Sequence, residues 1–340
     1  MSSPYYGPDE DENTILLERN FLAGDVASGT GYGIQLVLYT SCAQFLWKKR
    51  KERKSALFLL AYITALIMVE TIFVIIQART VQVLYVDNRN YPGGPWAYFL
   101  ATQNLAINVI FYATLFVLTF LSDCLVLWRC WVIWVSAGRK LYAVLVITFP
   151  TIILIASFIM GTLWTLQSSQ PGLSLYSALP LAYGTSFYSI SLGLNIILTI
   201  LIIVRILFYR RHLLKSLPEE FASHYVSLAT IIVESAAIYS IFAILFLITY
   251  AVNNPANQVL LAFASTAQQV SLYLIIYRLA EGRAWGTETI TQQNITEMKF
   301  ESRNIRTATD TVATNLELGT ATATPARSQI VKTKSYDEED

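Results

Sequence analysis

The chain has 340 residues, 54% of them hydrophobic and only 14% charged, with a formal net charge of +1. About a quarter of an ordinary soluble domain is charged, and here the deficit falls in long uncharged runs, the pattern of a membrane protein. The near-zero net charge gives no electrostatic case for nucleic acid, and Cys42, Cys124 and Cys130 lie in or beside apolar runs, so they offer no extracellular disulfide framework.

Taken in order, residues 1–28 carry Asp9, Glu10, Asp11, Glu12, Glu18 and Asp25 against Arg19 alone. With neither a basic start nor an apolar centre they do not read as a cleaved signal peptide. They are expected to form an acidic extracellular N-terminus, leaving the first span, residues 29–47, as its own insertion signal. The run KKRKERK that follows, residues 48–54, sets six bases against one acid. By the positive-inside rule it holds that end in the cytoplasm; a phosphoinositide site is the alternative use of such a run.

The second span, 55–76, contains Glu70 in its outer part. About a dozen Leu, Ile, Val and Phe at roughly −0.3 to −0.6 kcal/mol each outweigh one acid at about +3, so the helix inserts. In the outer loop 77–103, the stretch YPGGPWAYF places Pro-Gly-Gly-Pro where no helix is expected, which predicts a turn. Trp96 and Tyr98 then suit the membrane interface. The third span, 104–134, is the middle strut of the expected bundle, with Asp123 inside it and Arg129 toward its end.

The fourth span, 141–164, holds Pro150, whose missing N–H predicts a kink. The fifth, 182–208, runs out through Arg205, Arg210, Arg211, His212 and Lys215; the sixth, 225–252, contains Glu234; and a short turn leads to the seventh, 258–279. Every expected inner loop is basic. The expected fold is therefore an all-α membrane protein, a seven-transmembrane helix bundle over 29–279 with N-terminus outside and C-terminus cytoplasmic. Residues 280–340 are Thr-rich without apolar periodicity and read as a disordered cytoplasmic tail. The one N-x-S/T sequon, Asn294-Ile295-Thr296, falls in that tail. The tail's end shows neither a prenylation motif nor an ER-retrieval tetrapeptide. The plasma membrane is the expected location, with internal membranes left open.

YPGGPWAYF before the third span, LSDCLVLWRCWVIW at its end, VESAAIYSI in the sixth and YRLAEGRAW closing the seventh together resemble a large, functionally uncharacterised group of seven-helix integral membrane proteins of basidiomycete fungi. The resemblance runs in the same order over nearly the whole membrane part and excludes both termini. It implies a fold and a lineage, and no activity.

The residue types exclude several chemistries. No expected span contains Lys, so none can form a retinal Schiff base, and the only histidines, His212 and His224, sit in one inner loop without metal-ligand spacing. There is no phosphate-cradling glycine loop and no Ser-His-Asp set. The chain is expected to be no enzyme and to hold no cofactor or metal. It also lacks the Asp-Arg-Tyr and Asn-Pro-x-x-Tyr signatures of rhodopsin-like receptors, which leaves G-protein coupling in doubt.

What remains is polar residues at helical spacing: Asn104, Asn108, Tyr112, Thr119 and Ser122 in the third span, Thr185, Ser189 and Asn195 in the fifth, and Ser265, Gln268, Gln269 and Tyr273 in the seventh. One reading is glue between helices. The other is a pocket for a small molecule or lipid at their outer ends, lined by Glu70, Asn104, Asn108, Tyr112, Thr185, Ser189, Ser265 and Gln269. A second cluster, Asp123, Arg129, Arg205 and Glu234, is expected in one layer of the inner half, as a latch or as a static ionic staple. The function these patterns suggest is a receptor-like protein in the lipid bilayer, its basic inner loops meeting a cytosolic signalling partner. The alternatives are a transporter or channel, against which the absence of an internal repeat speaks, and a membrane-organising protein without a ligand.

Overall fold

The computed structural model describes residues 10–51, 54–135, 140–173, 177–213 and 219–277, with side chains at all but 54, 140, 209–213, 219–229 and 231. The expected tail, the sequon and the side chains of His212 and His224 lie outside the described residues. Those described form seven long helices: α1 (Glu12–Lys49), α2 (Lys54–Gln82), α4 (Ala106–Val135), α5 (Lys140–Ser168), α6 (Ala178–Leu213), α7 (Glu219–Ala251) and α8 (Asn257–Tyr277). A short helix, α3 (Gly94–Ala101), lies between α2 and α4. No strand occurs among the described residues. In hydrocarbon each backbone amide must find its partner within the segment, so helices are the form such runs take.

Six of these helices, α2 and α4 to α8, are long and apolar enough to cross a membrane. The protein is thus an all-helical, multi-pass integral membrane protein. Its outward faces agree: Val37 and Leu141 are 67% and 72% exposed, among many other large apolar side chains that water would not tolerate in such number. Hydroxyls on the helices are satisfied locally, as where Thr40, Thr148 and Thr249 donate to the carbonyl four residues back.

The helices extend beyond the expected spans. The first begins at Glu12, so much of the acidic N-terminal segment is the first half of α1. The Pro-Gly-Gly-Pro stretch both turns and starts a helix. Gly93 and Gly94 take φ of 87° and 83°, which glycine alone adopts freely, and Pro95 sits in the first turn of α3, where its missing N–H leaves nothing unbonded. Trp96 is consequently buried against Phe21 of α1, ring centroids 6.2 Å apart, rather than placed at the start of the third span. That span begins at Ala106, and Asn104 belongs to the exposed turn before it.

α4 packs against α2, α5 and α6, and α6 against α5 and α7. α8 closes the bundle against α1, α4 and α7. Its approach to α1 depends on small residues: a Cβ on Gly31 would stand 2.2 Å from the Thr266 hydroxyl oxygen, and one on Gly24 would stand 2.9 Å from the Gln258 carbonyl. Lipid offers no hydrophobic drive between helices, so such close backbone packing and interhelical hydrogen bonds hold them together. Half of the apolar window of α4 and of α8 is buried, against 28% in α2, α5, α6 and α7. The third span is the central strut, and α8 shares that role.

Candidate functional site

The centre of the bundle is a polar knot on the inward face of α4. Asp123 is fully buried. Ser191 donates to its Oδ2 at 2.7 Å, and Asn195 and Gln268 donate to its Oδ1 at 2.7 and 3.3 Å. Ser191 and Asn195 stand four residues apart on one face of α6, while Gln268 comes from α8, so a single carboxylate joins three helices. Beside it Gln269 donates to the Ser122 hydroxyl at 2.8 Å, and Ser271 carries the connection to α7 by donating to the Ser235 carbonyl at 2.6 Å. Nearly two turns further along α4, buried Arg129 donates to the Leu272 carbonyl at 3.0 Å, and on the other flank the Tyr62 hydroxyl of α2 donates to the Leu121 carbonyl at 2.7 Å.

Toward the N-terminal end of α4 from the knot lies a cleft lined by Leu115 and Thr119 of α4, Tyr188 of α6, Tyr239 and Phe246 of α7, and Ser265 and Gln268 of α8, with smaller apolar neighbours. About 20 Å³ of it is open to the centre of a water-sized sphere, room for a water molecule and not for a drug-sized ligand. Its walls are mostly apolar, yet the Tyr188 hydroxyl on it is buried without a hydrogen-bond partner. Gln268 belongs to both structures, lining the cleft and bonding Asp123.

Of the residues expected to form a pocket, Ser265 alone lines this cleft. Glu70 is buried between α1 and α2, with Gln35 donating to it. Asn104 and Ser189 are exposed. Asn108 is buried and donates to the Thr102 carbonyl at 2.7 Å, Tyr112 donates to Gln103 at 3.0 Å, Thr185 is half-buried, and Gln269 is taken up by Ser122. Thr119 and Ser122 also bond back to Leu115 and Leu118 of their own helix. The polar stripe of α4 is thus spent mostly on bonds within the helix and the turn before it, with Ser122 reaching α8 through Gln269.

The inner ionic cluster does not form. Among the described residues the one ion pair is Arg79–Asp87, at 3.4 Å and exposed on both sides, worth at most about 1 kcal/mol. Asp123 and Arg129 are six positions apart on α4, roughly 240° around the helix, so Asp123 meets Ser191 and Asn195 of α6 and Gln268 of α8 while Arg129 reaches the Leu272 carbonyl instead. The Arg205 guanidinium lies over the Trp134 ring, 5.4 Å from its centroid. Glu234, near the middle of α7, is exposed on a face turned away from the bundle, while the next residue, Ser235, is buried.

Ser191 and Gln35 were missed by the expected sites. Serine and glutamine recur throughout these spans, and only the position of Asp123 and Glu70 opposite them sets the two apart. Near the N-terminal end of α1, before the expected first span, Glu18 accepts the Trp96 backbone N–H at 3.1 Å. Burial, and next the neighbouring Glu10, push the Glu18 carboxyl up to about 7.

Six apolar helices long enough to cross a membrane, packed around a hydrogen-bonded polar centre, define a multi-pass integral membrane protein. Comparison with family models, with curated proteins and with solved structures finds no match to this chain.

Proposed function

We propose that this is a receptor-like seven-helix membrane protein, with α1 as the seventh crossing, its N-terminus outside and its C-terminus in the cytoplasm of a plasma-membrane protein. The observation that carries the reading is the sharing of Gln268 between the cleft and the Asp123 knot. A molecule that wedges into the cleft meets Gln268, and shifting that amide alters the bonds that hold α4, α6 and α8 together. The cleft's present size requires α7 to move for anything larger than water to enter, and such a movement would carry the inner end of α7 and its basic loop toward a cytosolic partner.

The apolar lining with a few hydroxyls and one amide favours a small, largely apolar molecule or a lipid. Support for α1 as a crossing comes from its exposed Val26, Ile34 and Val37 and from the basic run at its end. The lack of any lysine in the expected spans and of a converging catalytic set supports a non-enzymatic role, and the motif resemblance supports a basidiomycete lineage. The test uses the full chain in nanodiscs with an environment-sensitive label at the cytoplasmic end of α7, screened against sterols, fatty alcohols and small aromatic compounds. A ligand-dependent signal that Gln268→Ala abolishes supports the reading. A substrate flux in proteoliposomes without any label response would make the protein a transporter.

A further inference from the structure

Glu70 belongs to a site separate from the cleft. It is 4% exposed on α2, and Gln35 of α1, fully buried, faces it. The Gln35 side-chain amide donates to Glu70 Oε1 at 3.3 Å. The other two oxygens of the pair, Glu70 Oε2 and Gln35 Oε1, are both buried and both without a hydrogen-bond partner. The site therefore holds three acceptor oxygens and a single donor interaction.

Its surroundings supply no counter-charge. On the α1–α2 seam the titratable neighbours are Tyr39 and Tyr32, whose hydroxyls are engaged by Thr64 and Thr71. From α8 comes Tyr273, itself fully buried. From α4, Phe111 packs on Phe73, one turn along α2. Among the described residues no basic side chain pairs with Glu70. A bare carboxylate so placed would sit in hydrocarbon with one amide hydrogen bond and no counter-charge, an arrangement that costs several kcal/mol.

We propose that Glu70 and Gln35 form a proton-binding site, in which Glu70 holds a proton on Oε2 and donates it to Gln35 Oε1. A carboxylic acid and a primary amide placed edge to edge make two hydrogen bonds in a closed ring, N–H to the acid carbonyl and O–H to the amide carbonyl. The first of these is present. The two unpartnered oxygens are the two atoms the second would join. The proton thus links α1 to α2, and its departure would set a carboxylate against an amide oxygen and loosen α1 from the bundle.

The experiment is infrared spectroscopy of the full protein in lipid, read in the protonated-carboxyl C=O region, on wild type, Glu70→Gln and Gln35→Leu. Glu70→Gln is expected to lose one carboxylic-acid band and to keep wild-type thermal stability, since an amide pair preserves both bonds. Gln35→Leu is expected to shift that band to higher frequency and to lower the melting temperature. Solid-state NMR of ¹³C-glutamate-labelled Glu18→Gln protein, which removes the proton Glu18 holds near pH 7, gives the same reading with Glu70 and Gln35 unaltered, as one glutamate carboxyl carbon in the protonated range at neutral pH. An unchanged carboxylic-acid region in Glu70→Gln, or a band lost on adding sodium at constant pH, as for a site that takes a metal cation, would overturn the proposal.

Discussion

Replacing Asp123 with alanine removes the acceptor shared by Ser191, Asn195 and Gln268. In a water-soluble core each buried donor so abandoned costs about 1–3 kcal/mol. Interhelical hydrogen bonds in a membrane bundle average about 0.6 kcal/mol, because separated helices find other partners in the membrane. Three bonds at that value set a floor of about 2 kcal/mol, and the void left by the side chain adds to it. The donors are also partly relieved, since Asn195 reaches the Ser191 carbonyl at 3.4 Å, which keeps the loss near the floor. The expected loss is about 2–4 kcal/mol. Asp123→Asn retains one carbonyl oxygen as acceptor and should lose about 1 kcal/mol, because the Ser191 hydroxyl can turn to accept from the new amide. Surfactant-induced unfolding of the purified protein in mixed micelles measures both, and a double-mutant cycle with Gln268→Ala should return a coupling of about 0.6–1.7 kcal/mol. Glu234→Gln, at an exposed position, is the control and should change nothing measurable. A loss for Asp123→Ala no larger than that of the control would refute the knot, and strong coupling of Asp123 to Arg129 would restore the ionic latch in its place.

Other perturbations read other parts of the bundle. Gly31→Val should lower the melting temperature by forcing α1 off α8, whereas Gly33→Val, with nothing within 4 Å of its added Cβ, should not; equal effects would remove the close-packing argument. For Glu18 the carboxyl ionises near the ordinary 4.5 in the unfolded chain and near 7 in the fold. The folded state holds the extra proton between those values, so stability should fall as pH rises through that window, and Glu18→Gln should flatten the wild-type slope there. Asn294 should carry no glycan in cells while the N-terminus is cleaved by external protease; a glycosylated Asn294 would reverse the orientation. The purified protein should show neither a retinal-like visible band nor about one zinc per chain by elemental analysis.

Six apolar runs longer than the membrane is thick leave a chain no soluble alternative, because composition and hydrocarbon thickness together decide insertion. The placement of Asp123 in a central helix was legible in the same way, since an acid that survives in such a run must find partners inside the bundle. Which partners it finds was not legible. Sequence put Asp123, Arg129, Arg205 and Glu234 at similar depths, but depth is one coordinate, and rotation about each helix axis decides contact. On α4 that rotation turns Asp123 to the Ser191–Asn195 face of α6 and Arg129 to a carbonyl of α8. On α7 it turns Glu234 outward and Ser235 inward. The same limit hid Gln35, one glutamine among many until α1 and α2 pack and leave it alone with Glu70. Helical periodicity names a polar face; only the packing of the helices decides whether that face meets a partner, a cleft or lipid.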